Sequence, residues 1–103
     1  FSWLQSVEDV NISMAVIDPF NIKPDYTLSI HDDVFSELRA EKEEDIIVLN
    51  VMVIPKDFKK MTANLMAPIL INAQQRLGKQ IILNDSSYPI RYPVFDMLKR
   101  KEG

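Results

Sequence analysis

An all-β fold, a small and partly open antiparallel β-barrel with one or two short helices, is what this sequence predicts. Three observations carry that reading. Short apolar runs recur at near-even spacing along the chain, the pattern of strands in a small barrel or sandwich. Proline and charged residues separate the runs as turn signals. Helical periodicity is confined to two brief segments, so helices decorate the fold and do not build it. With five or six strands to place, the barrel is expected to be partly open.

The first strand signal covers residues 12–17, where Ile12, Met14 and Val16 share a face at period two. A second, at residues 26–30, alternates more cleanly, with Thr27 and Ser29 expected to face water. Asp18-Pro19 and Lys23-Pro24-Asp25 lie between them. Proline fixes φ and donates nothing to a ladder, so these read as turns and the pair as a hairpin with a wide loop. Asp32-Asp33 then offers a capping carboxylate to a short helix whose apolar edge is Phe35 and Leu38. The charge-dense residues 39–45 read as a solvated connection.

Residues 46–54 form the strongest segment, apolar on both faces except at Asn50, as expected of a central strand covered on both sides. Pro55 stops it. Two further runs, residues 67–72 and 79–83, flank a loop ending in Leu77-Gly78 and read as an antiparallel hairpin with a long turn. Residues 88–93 are expected to be extended, because residues before proline avoid the α region. Pro93 then opens a last helix carrying Val94, Met97 and Leu98 on one face, with Lys99, Arg100 and Lys101 suiting its negative end.

One domain, spanning residues 1–103, is the expectation for a chain of 103 residues. The absence of cysteine excludes disulfides, thiol nucleophiles and cysteine metal sites. No apolar run is long enough to cross a bilayer as a helix, and no signal-peptide pattern opens the chain; no membrane partner and a cytoplasmic location are expected. The chain opens at Phe1 without methionine, inside an apolar stretch. It reads as a piece of a longer chain whose absent strands leave an edge open to self-association. The net charge of −3 argues against nucleic acid as a direct partner, because that affinity counts phosphates neutralised by Lys and Arg. It suits a basic protein patch instead.

Catalysis has little footing. His31 is the one histidine, with no companion for a zinc site and no positioned partner for acid–base work. The serines lack an elbow motif, and two glycines cannot make a phosphate loop. The expectation is a non-enzyme with no catalytic residue, cofactor or metal. Binding features are better represented. Residues 56–66 either present Phe58 and Met61 to a partner or fold over the open barrel end. Asn50, Thr62, Asn64 and Asn72 are expected to place amides near one end, by default as a satisfied structural network. The alternative is a small-molecule pocket, enzymatic or ligand-binding, around Asn50 and Asn64. Tyr88, Tyr92 and Phe95 either dock a partner or pack back on the sheet. A basic groove for single-stranded RNA would have only Arg91, Tyr92, Lys99, Arg100 and Lys101 to draw on.

Phrases within the chain bring a family into view. Residues 1–9 (Phe-Ser-Trp-Leu-Gln-Ser-Val-Glu-Asp), Asp18-Pro19-Phe20, Pro24-Asp25-Tyr26 and Val48-Leu49-Asn50-Val51 come in order. Residues 61–69, with their Thr-Ala-Asn-Leu-x-Ala-Pro core, Ile71-Asn72 and Gly78-Lys79-Gln80 follow. Together they resemble the flagellar assembly factor FliW family from Phe1 to about Pro93. Family chains are longer at the N-terminus, so this one would lack the first strands. The family often has histidine where Tyr92 stands, and residues beyond Pro93 match no family pattern. The resemblance implies a small barrel-like cytoplasmic protein that binds flagellin. It also implies binding to CsrA, an RNA-binding repressor of flagellin translation, so that partner exchange couples flagellin synthesis to export. Glu8, Asp9 and Asp25 would then steer a basic partner, and Phe58, Met61, Thr62, Asn64, Arg91 and Tyr92 would supply the contact surface.

Overall fold

A strand that is apolar along nearly its whole length must find backbone partners and side-chain cover together. Strand β3 (Ile47–Val53) finds its partners by pairing antiparallel with three others. It is covered only towards its centre: Ile47 and Val53 are exposed, against the expectation of cover along both faces. The computed structural model describes residues 2–5, 13–84 and 87–102. Among these, β1 (Ser2–Gln5) pairs with β2 (Ser13–Ile17), and β2 pairs with β3 through Val16 opposite Val51 and Ile17 opposite Asn50. The first half of β3 pairs with β5 (Ile69–Asn72), which continues to β6 (Leu77–Gln80). The last half pairs with β4 (Thr62–Ala63), which continues to β7 (Tyr92–Pro93). These seven strands form one branched antiparallel sheet curled into a partly open barrel, the expected class.

The barrel interior is filled by Ile17, Ile22, Tyr26, Ala63, Leu65 and Val94, each at most 2% exposed, with Met52 and Met61 beside them. A smaller cluster of Val34, Leu38 and Leu70 seats helix α1 (Asp32–Glu37) on the sheet. Fully burying one such aliphatic side chain stabilises by about 1.5–3 kcal/mol, so Leu65 and Leu70 weigh more than any exposed ion pair here.

Several expectations are corrected. Residues 12–17 do make a strand from Ser13, but Ala15 and Ile17 join the main core while Met14 is 42% exposed; Ile12 lies outside the described residues. Residues 26–30 form no hairpin with β2, whose two edges are already taken by β1 and β3. They run without a ladder, although Tyr26, Leu28 and Ile30 turn inward and Thr27 and Ser29 outward as the alternation required. The N-cap of α1 is His31, whose side chain makes no cap bond. Asp32 and Asp33 sit inside the first turn, where the helix dipole favours them. The apolar edge of that helix is Val34 and Leu38, with Phe35 half-buried.

β5 and β6 pair as foreseen, but their turn spans only residues 73–76, and β6 begins at Leu77. The left-handed turn residue is Arg76, at φ 56°, while Gly78 lies inside the strand with negative φ. The last helix, α2 (Phe95–Glu102), starts two residues later than expected. Pro93 is held in the sheet opposite Thr62, where a missing N–H is tolerated. The Val94 carbonyl accepts the first helical bond, from Leu98 N–H. The charge-dense connection is also more ordered than a plain linker. Residues 43–45 make a 3₁₀ turn in which the Asp45 carboxylate accepts from the amides of Glu41 and Lys42 at 3.0 and 3.2 Å.

Candidate functional site

The residues that end β3 and those that begin α2 meet at one corner. After Pro55, Asp57 caps a 3₁₀ turn, Phe58–Lys60, by accepting from Lys59 N–H at 3.2 Å. That turn lifts Phe58 to the surface, 53% exposed. Phe58 stands edge to face on Phe95 of α2, with ring centroids 5.4 Å apart, the preferred geometry for aromatic quadrupoles. Beneath the pair Met61 is buried, and its carbonyl accepts from Val94 N–H at 3.3 Å. Thr62 then faces Pro93 and Ala63 faces Tyr92 across the β4–β7 ladder. Tyr92 is half-buried and Arg91 exposed.

Five expected contact residues, Phe58, Met61, Thr62, Arg91 and Tyr92, therefore belong to one corner. Residues 56–66 fold over the barrel end, as one of the two readings had it. Met61 and Leu65 plug the barrel, and Phe58 stays outside. Of the tail aromatics Tyr88 packs inward, 8% exposed.

Other candidates have local structural tasks. The Asn64 side-chain oxygen accepts from the amides of Met66 and Ala67, both at 3.1 Å, which turns the chain towards β5. Asp25 pairs with Lys23 at 3.1 Å on the surface. The Lys23 side-chain bond and charge hold the Asp25 carboxyl below its usual range, and the reciprocal bond raises the Lys23 ammonium. Glu8 and Asp9 lie outside the described residues, as do the side chains of Lys99, Arg100 and Lys101. The exposed bases Lys56, Lys59, Lys60 and Arg91 flank the aromatic corner, while Asp32, Asp33 and Glu37 crowd α1.

The four amide-bearing and hydroxyl candidates do not converge. Asn72 Nδ2 donates to the carbonyls of Leu38 and Arg39 at 2.9 and 3.3 Å, tying off the end of α1. Asn50, fully buried, donates to the Asn64 carbonyl at 2.6 Å and to the Tyr26 hydroxyl at 3.5 Å. The Tyr26 hydroxyl in turn donates to the Leu65 carbonyl, and burial pushes its pKa up despite the bond from Asn50. Among the described residues Asn50 Oδ1 has no partner. Two clefts, of about 370 and 360 Å³, lie elsewhere, on either side of residues 27–30, and neither is lined by Asn50 or Asn64. His31 sits exposed at the rim of the first. Among the described residues no three His, Cys, Asp or Glu gather to hold a metal, and no helix is long and apolar enough to cross a membrane.

Sequence reasoning missed these clefts. Their walls combine residues 27–31, which take no ladder partner, with parts of α1, β3 and the stretch after β6, and no motif marks that.

Comparison with known proteins agrees with this architecture. The family model described as "FliW protein" matches residues 1–94. The flagellar assembly factor FliW of Caldicellulosiruptor saccharolyticus is 45% identical over 98 residues, covering 95% of this chain and 64% of that protein. The one from Caldicellulosiruptor bescii is 45% identical over 102 residues, with coverage of 99% and 67%. A crystal structure of the flagellar assembly factor FliW superposes with a TM-score of 0.84 at 34% identity, covering 90% of this chain and 66% of that one. The chain thus spans about two thirds of the length of the relatives it matches, 64% of the first. A match along residues 1–94, relatives of the same name at 45% identity and a shared fold converge: the chain belongs to the FliW family of flagellar assembly factors.

Proposed function

We propose that this chain is a protein-binding, non-enzymatic regulator of the cytoplasm that binds flagellin and antagonises a CsrA-type translational repressor. Flagellin held by the chain keeps it from the repressor. Export of flagellin frees it, and the repressor is then titrated by mass action between coupled complexes. The observation that carries this reading is family membership along residues 1–94. The exposed Phe58 ring, braced edge to face on half-buried Phe95, supports it, because a rigid aromatic anchor suits protein recognition.

The test is a three-component capture. Immobilised chain retains purified flagellin, and added CsrA alters that retention in proportion to its concentration. No retention of either protein ends the proposal.

A further inference from the structure

At the aromatic corner the outer face of the barrel carries a row in register across three strands. Val53 stands opposite Thr62, and Thr62 opposite Pro93. Residues directly opposite share a face, and this face is the outer one, because the neighbouring row of Met52, Ala63 and Tyr92 turns inward. Val53 is 63% exposed, and Pro93 is exposed too. Phe58, just before Thr62 in the chain, and Phe95, just after Pro93, touch through their rings. Lys56, Lys59, Lys60 and Arg91 surround this shelf, all exposed, and among the described residues none of them has an ion pair. The carboxylates nearest in sequence are otherwise placed. Asp57 caps the 3₁₀ turn at Lys59 N–H, and Asp96 lies in the first turn of α2, where the helix dipole favours it. A chain of net charge −3 thus gathers positive charge around one exposed aromatic.

The corner suits a visiting segment better than another stretch of the same fold. An added strand needs a free backbone edge, and among the described residues β1 and β6 offer one, each paired on one side only. Here the free side of β7 carries Pro93, which has no N–H to give. The amides of Lys59, Lys60 and Met61 are bonded within their own turn. A permanent cover would also strip these cations of water, whereas a reversible contact keeps them in a solvated rim around a buried anchor. Nucleic acid is the poorer match, since one exposed ring gives a single stacking platform where a strand needs a succession. We infer that this corner takes an acidic segment of a partner protein, an apolar side chain packing on Phe58 and Val53 and carboxylates meeting the lysines and Arg91. The inference rests on the reading of the chain as a protein-binding module and names the chemistry its aromatic corner takes. Its sign is opposite to the basic partner that net charge suggested, because local charge decides a contact.

The probe is a blocked, fluorescent Glu-Glu-Leu-Phe-Glu-Glu peptide, followed by anisotropy against the 103-residue chain and against the product of the intact gene. Both are expected to bind it saturably, and less tightly as salt rises. Lys59→Glu with Lys60→Glu weakens the peptide at least about tenfold, and Lys59→Arg with Lys60→Arg retains it. Lys42→Glu with Lys79→Glu, an equal change of net charge placed after α1 and in β6, leaves it bound. Circular dichroism checks that each variant is folded. Equal affinity of the folded Lys59→Glu, Lys60→Glu chain overturns the proposal, as does absence of saturable binding. Binding by the 103-residue chain that the intact gene product lacks also overturns it, since the protein's own further segment is then the occupant. Displacement of the peptide by single-stranded oligouridylate makes nucleic acid the occupant and overturns it too. Flagellin retention, measured in parallel, holds or fails independently of the peptide, so the broader reading is judged apart.

Discussion

The side-chain amide of Asn50 donates to the main-chain carbonyl of Asn64 at 2.6 Å, joining the middle of β3 to the turn that follows β4. That bond crosses a largely hydrocarbon core and, with the Tyr26 hydroxyl bond to the Leu65 carbonyl, fixes where the plug of residues 61–65 sits on the barrel end. Removing it leaves the Asn64 carbonyl buried without this donor. Asn50→Ala is expected to lower stability by about 2–3 kcal/mol, seen as a lower urea midpoint at unchanged slope. A midpoint equal to that of the parent chain refutes the role.

Tyr26 offers a pH test. Burial raises its folded pKa above the ordinary tyrosine value, so ionisation is easier in the unfolded chain. The sign follows: its contribution is whole below the unfolded pKa of about 10 and is lost as pH rises through the folded value. Urea midpoints should fall steeply above about pH 10. Tyr26→Phe should remove part of that fall while costing about 1 kcal/mol at neutral pH for the lost bond to Leu65. A variant with the same alkaline slope as the parent would show that another group titrates.

Arg39 and Arg76 hold left-handed backbone, at φ 52° and 56°, while Gly78 does not need its freedom. A Cβ at Gly78 would meet Ile71 Cγ1 and the Leu70 carbonyl at 3.6 Å, ordinary contact distances. Gly78→Ala should therefore stabilise by about 0.4–1 kcal/mol through the unfolded state. Arg76→Gly should gain up to about 1 kcal/mol by relieving the Cβ–carbonyl approach. Thermal midpoints of the two single variants check both signs.

The Phe58–Phe95 contact should be weak for folding and strong for recognition. A double-alanine cycle at these positions is expected to give a coupling of about 0.5–1.5 kcal/mol, measured by denaturant titration. A coupling of several kcal/mol would place the pair in the core instead.

How much of this was legible follows from what each residue answers to. Strands β3 and β5 announced themselves because apolar runs report burial, and the centre of β3 and alternate positions of β5 are buried. Residues 26–30 show the limit. Their alternation correctly told which side chains face inward, yet ladder pairing depends on a free edge, and β1 and β3 had taken both edges of β2. The turn at Arg76 was hidden because glycine is the usual marker of positive φ, and here the marker lies two residues later. The aromatic corner was readable residue by residue, as Phe58, Met61, Thr62 and Tyr92. Its convergence was not, since the β4–β7 pairing joins Thr62 to Pro93 and Ala63 to Tyr92, far apart in sequence, through two-residue strands that carry no period.

The central claim is that this chain acts by offering recognition surfaces, with the Phe58 corner as the flagellin contact. A binding isotherm of purified flagellin against the parent chain and a folded Phe58→Ala variant tests it most directly. The account predicts saturable binding by the parent and at least about tenfold weaker binding by the variant. Equal affinities, or no binding by the parent, would contradict it.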